Sequence, residues 1–228
     1  MPSLRDRIGA VKAEAVLASF ERRKDGFIDL CNTTRNLIET ILKEKGISVN
    51  AIQARVKEKS KLELKYCSEG KDYKCLDDMP DVVGLRIITY FPEDIDRVAN
   101  IVRQEFALIG QPDDKRIVKA NEFGYSALHM DCRYSKNQLD RTEYRRFDSY
   151  RFEIQITTIL GHAWAEIHHG WYDMKSSSPP EEERRFHRLA AVLELADQEF
   201  SLIRKAKRQR ETMDSVWEDE SLPDISIP

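Results

Sequence analysis

Two acidic residues occupy positions where acids are uncommon. Asp81 immediately precedes VVGLRIITYF (Val82–Phe91), a run rich in β-branched and aromatic residues that predicts a strand. Glu153 lies within FEIQI (Phe152–Ile156), whose alternation predicts another. Carboxylates at strand centres are seldom placed there for stability. Hard oxygen ligands of this kind suit magnesium, which keeps several waters and bridges substrate phosphates. Asp81 and Glu153 are therefore the candidate metal ligands and catalytic residues of a phosphoryl-type transfer. Gln155, two positions beyond Glu153, leaves the strand on the same face.

The candidate anion ligands are basic. Lys57, Lys61 and Lys65 are spaced four apart with Arg55 nearby, and on a helix predicted from Ala51 to about Lys65 they share one face. Taken alone, such a stripe is ordinarily a solvated surface; an anion lying between the charges would relieve their repulsion. Arg86 projects from the Val82–Phe91 strand, where leaving a charge unpaired is costly, so it requires either a carboxylate partner or a phosphate. Gly124 permits close backbone approach, and Tyr125 offers a ring for base stacking, although packing would also explain a tyrosine there. His129, four residues on, falls on the same strand face as Tyr125.

The elements that must position these groups follow from periodicity. Apolar residues from Val11 to Leu42 recur at helical spacing and predict one long or two consecutive helices ending near Gly46. Pro92 opens a helix over EDIDRVANIVRQEF, with acids in its first turn. Arg116–Lys119 and Ala127–Arg133 read as strands, and SKNQLDRTEYRRFDSY between the last strands reads as an exposed basic loop. Thr158–Tyr172 is a predicted helix with Leu160, Ala163, Trp164 and Ile167 along one side. A final helix over about Glu181–Arg210 is expected to turn Phe186, Leu189, Leu193, Ala196, Phe200 and Ile203 inward. The expected organisation is an N-terminal helical segment (1–48), a core (49–175), a C-terminal helix packing on it (181–210) and a flexible acidic tail (211–228). Helices around a few mixed strands make this an α+β chain.

Four segments, in order, resemble the synthetase domain of the RelA/SpoT family: RVKEKSKLELK (Arg55–Lys65), DVVGLR (Asp81–Arg86), GYSALH (Gly124–His129) and EIQITT (Glu153–Thr158). HAWAEIHHGWY is similar to that family's W-A-x-x-x-H segment, and the likeness runs from about residue 50 to 205. The resemblance implies a nucleotidyltransferase-like mixed sheet flanked by helices, with long terminal helices, that moves the β,γ-pyrophosphate of ATP onto a nucleotide 3′-hydroxyl. It implies that Arg55, Lys57, Lys65 and Arg86 hold ATP, that Asp81 and Glu153 bind Mg²⁺, and that Glu153 activates the acceptor. Tyr125, His129, Lys119 and Gln155 become the acceptor residues, and the Trp164 helix is placed behind the sheet. Two departures fall on the acceptor side: Thr157 stands where the family has arginine, and the loop KANEFGY around Lys119 is longer. GDP or GTP is the favoured acceptor. The alternatives are a toxic member that modifies the tRNA 3′ end or adenine nucleotides, with Arg141, Arg145, Arg146, Arg151 and RKAKRQR as an RNA-tracking surface, and a catalytically silent nucleotide-binding regulator. An antitoxin or regulatory partner and an oligomer are compatible with either. No His-Asp dipeptide occurs, so the family's hydrolase domain is not expected.

Composition bounds these readings. Of 228 residues, 41% are apolar and 34% charged, and the formal net charge of -3 argues against wholesale coating of nucleic acid. Apolar runs are short, no signal-peptide core is visible, and no C-x-x-C pair occurs among four cysteines, so a cytoplasmic chain with thiols and no zinc ribbon is expected.

Overall fold

In the computed structural model, residues 4–66, 73–114, 116, 127–170 and 179–219 are described. A 41-residue helix, α1 (Leu4–Glu44), leads into strand β1 (Val49–Val56) and short helix α2 (Lys59–Tyr66). Strand β2 (Val83–Thr89), helix α3 (Pro92–Glu105) and strands β3 (Phe106–Leu108), β4 (Asp113–Asp114) and β5 (Leu128–Tyr134) follow. Helix α4 (Lys136–Leu139), strand β6 (Phe152–Thr158) and helices α5 (Ile159–Gly170) and α6 (Pro180–Asp219) complete the order. The strands form one mixed sheet in the order β1-β2-β6-β5-β3, with β4 paired to β5; β2 and β6 are parallel, and the other pairs are antiparallel.

Alternation along the central strands separates core from cleft. Leu85 and Ile87, Ile154 and Ile156, and Leu128 and Met130 are buried on one face with Phe20, Phe27 and Leu30 of α1 and Ile95, Val98 and Val102 of α3. The intervening residues, Gly84, Arg86, Glu153, Gln155, His129 and Asp131, stay partly exposed on the other face. Among the described residues no helix is long and apolar enough to cross a membrane.

Several expectations change. The helix expected from Ala51 is strand β1 as far as Val56, with α2 starting only at Lys59. Pairing with β2 and burial of one side override the local helical spacing. The segment after β5 is no exposed loop: it forms α4 and a 3-10 turn (Arg145–Phe147), because Tyr144 and Phe147 stack on the buried Tyr134 ring. β3 and β4 escaped sequence analysis, being only three and two residues long. The strand expected over Arg116–Lys119 falls mostly outside the described residues.

Helix α6 runs to Asp219, so 211–219 are helical. Its packed side takes only part of the apolar stripe: Phe186, Leu193 and Ala196 are partly buried beside the buried Ala190, whereas Leu189, Phe200 and Ile203 are at least half exposed. The anchor is polar. Arg204 donates to Asp94 at 2.6 Å and to Glu93 at 3.4 Å, Ser201 donates to Glu93 at 2.6 Å, and Thr158 at the end of β6 donates to Asp197 at 2.6 Å. On α5 likewise, Ala163 and Ile167 face outward.

Asp197 is only 3% exposed, and burial together with the neighbouring Glu93 pushes its carboxyl up to about 7. An acid whose pKa is higher folded than unfolded takes up a proton on folding. Its stabilising contribution is complete below the ordinary carboxylate range and is lost as the pH rises through the folded value. Asp197→Asn mimics the protonated acid. From about pH 5 to about pH 8 the thermal midpoint of the natural protein should fall relative to that of the variant. Parallel midpoint curves would show that Asp197 does not titrate in that window.

Candidate active site

Register lays the polar groups out in two transverse rows. Arg55, Gly84, Glu153 and Asp131 are successive partners across β1, β2, β6 and β5; Gln53, Arg86, Gln155 and His129 form the next row. Neighbouring strands are about 4.8 Å apart, so these side chains are close enough to interact. Arg55, Gly84, Glu153, Gln53, Arg86 and Gln155, together with Asp81 and Glu166, line a cleft of about 290 Å³, and Asp131 and His129 continue the rows beyond it. Gly84 sits in the floor between Arg55 and Glu153, and a Cβ placed there would meet nothing within 4 Å. Glycine thus leaves the centre of the cleft clear for a ligand.

Asp81 lies in the turn before β2 and receives two ammonium groups. Lys65, in the last turn of α2, reaches Oδ2 at 2.6 Å, and Lys57, just after β1, bonds to the same oxygen. The Lys57 backbone amide is fixed to the Val82 carbonyl at 2.8 Å, which brings β1's end beside Asp81. The expected common helix face does not exist, but two of its three lysines converge nonetheless; Lys61 points elsewhere, to Glu58 at 3.6 Å. Burial works to raise the Asp81 carboxyl, yet the hydrogen bonds from Lys57 and Lys65 outweigh it and hold it below its ordinary value. Desolvation lowers the Lys57 ammonium, whereas pairing with Asp81 overcomes the same effect at Lys65 and raises it. Asp81 Oδ1 is buried with no hydrogen-bond partner among the described residues.

Glu153 accepts from His129 Nδ1 at 3.2 Å and from Gln155 Nε2 at 2.6 Å. Its burial is offset by the His129 hydrogen bond, so it also remains below the usual carboxylate range. Two ionised carboxylates that feel one another's charge, one with an orphaned oxygen, fit magnesium, which needs only one or two protein carboxylates besides water and phosphates. Among the described residues no group of three or more His, Cys, Asp or Glu is arranged to hold a metal.

Arg86 has its carboxylate partner inside the cleft. Its Nη1 donates to Glu166 at 2.6 Å and lies 3.0 Å from His162 Nδ1, while Nε donates to Gln155 at 3.3 Å. Helix α5 therefore overhangs the cleft side of the sheet and is not confined behind it. Gln53, His162, Glu166 and the Asp131–Arg151 pair (2.8 Å) were not recognised from sequence as parts of this face. The one-turn spacing of His162 and Glu166 was visible, but nothing local revealed Arg86 beneath them. Thr157 is only 4% exposed, so this position offers the cleft no polar contact. Lys119, Gly124 and Tyr125 lie outside the described residues.

Comparison with known proteins follows this geometry. Residues 54–177 match the region found in RelA/SpoT proteins. The GTP pyrophosphokinases YwaC and YjbM of Bacillus subtilis (strain 168) are each 29% identical, over 133 and 132 residues. These alignments cover 55% and 57% of this chain but only 58% and 59% of the relatives, so the match spans less than two thirds of either. The crystal structure of small alarmone synthetase 1 from Bacillus subtilis superposes with a TM-score of 0.69 at 23% identity, covering 84% of this chain and 98% of that one. That synthetase has also been solved bound to its product pppGpp and to AMPCPP. At this identity the likeness establishes the fold.

Removing Asp81 would leave the Lys57 and Lys65 ammonium groups facing each other without their shared counter-ion. Asp81→Asn should lower stability by on the order of 2 kcal/mol. Metal-free tripolyphosphate should restore part of the loss, read as a rise in thermal midpoint larger than in the natural protein. A variant of unchanged stability, indifferent to tripolyphosphate, would show that the lysines do not form an anion site.

Proposed function

The chain belongs to the RelA/SpoT family, and on that premise we propose that it transfers the β,γ-pyrophosphate of ATP to the 3′-hydroxyl of GDP or GTP. The observation that carries this reading is the pairing of Lys57 and Lys65 on Asp81 beside the ionised Glu153. Polyphosphate chemistry needs cations for the donor's oxygens and carboxylates for magnesium, side by side. Asp81, through its orphaned Oδ1, and Glu153 would hold the ion, which neutralises charge developing on the phosphates when bound.

Lys57 and Lys65 exchange Asp81 for the donor phosphates, and Arg55 and Arg86 flank the same channel. Glu153 takes the proton of the acceptor hydroxyl as its oxygen bonds to the β-phosphorus; the bond from that phosphorus to the bridging oxygen breaks, and AMP leaves. His129 and Gln155 keep the Glu153 carboxylate oriented through their hydrogen bonds. His129 on β5 and Gln155 on the adjacent β6 would also contact the acceptor, with Tyr125 and Lys119 as its base and phosphate ligands. The relatives' names, GTP pyrophosphokinase, support a guanine acceptor.

Three of the basic residues that a polynucleotide acceptor would use are paired within the chain, whereas Arg141, Arg145 and the rest of RKAKRQR stand exposed. Arg146 pairs with Asp29 at 2.5 Å, Arg151 with Asp131 and Arg204 with Asp94. These pairings weaken the polynucleotide reading, and the relatives' names favour a small nucleotide as the acceptor.

The test is transfer from γ-labelled ATP, with magnesium, to GDP, GTP or deacylated tRNA supplied separately. Label should move to the guanine nucleotides, and Glu153→Gln should slow it by roughly 10²–10⁴-fold in a folded protein. Near-normal turnover in that variant would overturn the assignment of Glu153, and labelling of tRNA alone would overturn the acceptor.

A further inference from the structure

We propose that Glu166 reads the base of the donor nucleotide, accepting a hydrogen bond from the exocyclic amine of adenine; this rests on the cleft being an ATP site. Asp81 and Glu166 line one cavity. From Val83 to Arg86 about 10 Å of strand separates the lysine-bearing end from the Arg86 end, over which Glu166 hangs. A carboxylate within a cleft for a polyanion excludes phosphate from its own vicinity, since like charges at about 4 Å repel by several kcal/mol near a protein surface. Phosphates are thus drawn to Lys57 and Lys65, and the uncharged nucleoside end is left facing Glu166.

The chemistry of that end is specific. Arg86 engages Glu166 Oε1, and the side chain remains 61% exposed, so Oε2 is available to a ligand. The Arg86 hydrogen bond holds the Glu166 carboxyl below its ordinary value, and an ionised carboxylate only accepts. His162 Nδ1 accepts from Arg86 Nη1 at 3.0 Å, and its Nε2 stands 3.4 Å from the Gln53 side-chain nitrogen. Arg86 is thereby committed to Glu166, His162 and Gln155, which leaves Glu166 Oε2 as the charged acceptor that meets the base edge. An amine at the purine 6-position donates to it, whereas a 6-oxo group sets oxygen against oxygen.

Equilibrium binding of ATP and of inosine triphosphate, which differs at that atom pair, tests this with magnesium present and no acceptor. The natural protein should bind ATP about tenfold or more tightly than inosine triphosphate. Glu166→Ala should bring ATP to the affinity of inosine triphosphate, leaving the latter within about twofold and the protein folded, with a thermal midpoint lowered by the loss of Arg86's partner. Glu166→Gln, whose amide can donate as well as accept, should also erase the preference. Equal binding of both nucleotides by the natural protein overturns the proposal. So does an equal weakening of both in Glu166→Ala, which would make Glu166 only a support for Arg86; in either case the ATP site stands. If the natural protein binds neither nucleotide, both readings fall.

Discussion

The parallel pairing of β2 with β6, which sets Gly84 beside Glu153 and Arg86 beside Gln155, decides where every charged group of the cleft can stand. Side chains in a strand alternate between faces, so this register sends Leu85, Ile87, Ile154 and Ile156 into the core and their neighbours into the cleft. A slip of β6 by one residue would bury Glu153 and Gln155 and expose Ile154 and Ile156. The hydrophobic cost of that slip makes the chemistry of the polar face as secure as the core beneath it.

Within the cleft, cations and carboxylates answer one another. Asp81 holds two ammonium groups, Glu166 holds Arg86, and His129 and Gln155 hold Glu153. At Asp81 and Glu153 the pairing holds a partly buried carboxylate below its ordinary value in spite of desolvation. The same pairings hold long side chains near the positions a polyphosphate and a metal would require, which lowers the ordering cost when a ligand replaces them.

The C-terminal helix joins this sheet by a different principle. Its contact with α3 and the end of β6 runs through Asp197, Ser201 and Arg204, and Arg204 also covers the Phe91 ring at 4.2 Å. Asp94 is almost wholly buried at the start of α3, and Arg204 and Arg97 supply its charge partners. Losing one member of such a network leaves a buried charge uncompensated, so the seam favours one position of the helix over sliding alternatives.

Much was legible in the sequence because it is written in local pattern. β-branched runs mark β2, alternation marks β6, apolar residues at helical spacing mark α1, and Pro92 with two acids marks the start of α3. Asp81, Glu153 and Arg86 stood out because charge in or beside a strand needs a reason. The terminal helix was equally visible, but its inward face only in part: Phe186, Leu193 and Ala196 of the apolar stripe are partly buried, whereas Leu189, Phe200 and Ile203 stand exposed and polar contacts run through Asp197, Ser201 and Arg204. Likewise Lys57, Lys61 and Lys65 looked equivalent by spacing. Only the end of β1 at Val56, enforced by its ladder with β2, brought Lys57 and Lys65 to Asp81 and left Lys61 with Glu58. Glu166 and His162 entered the cleft because α5 folds back over Arg86, 80 and 76 residues away in the chain. Sequence thus determined which residues carry charge in apolar surroundings, since that depends on near neighbours. Their partners were decided by tertiary structure, because an ion pair is selected by distance in space, and strand pairing and helix docking set that distance.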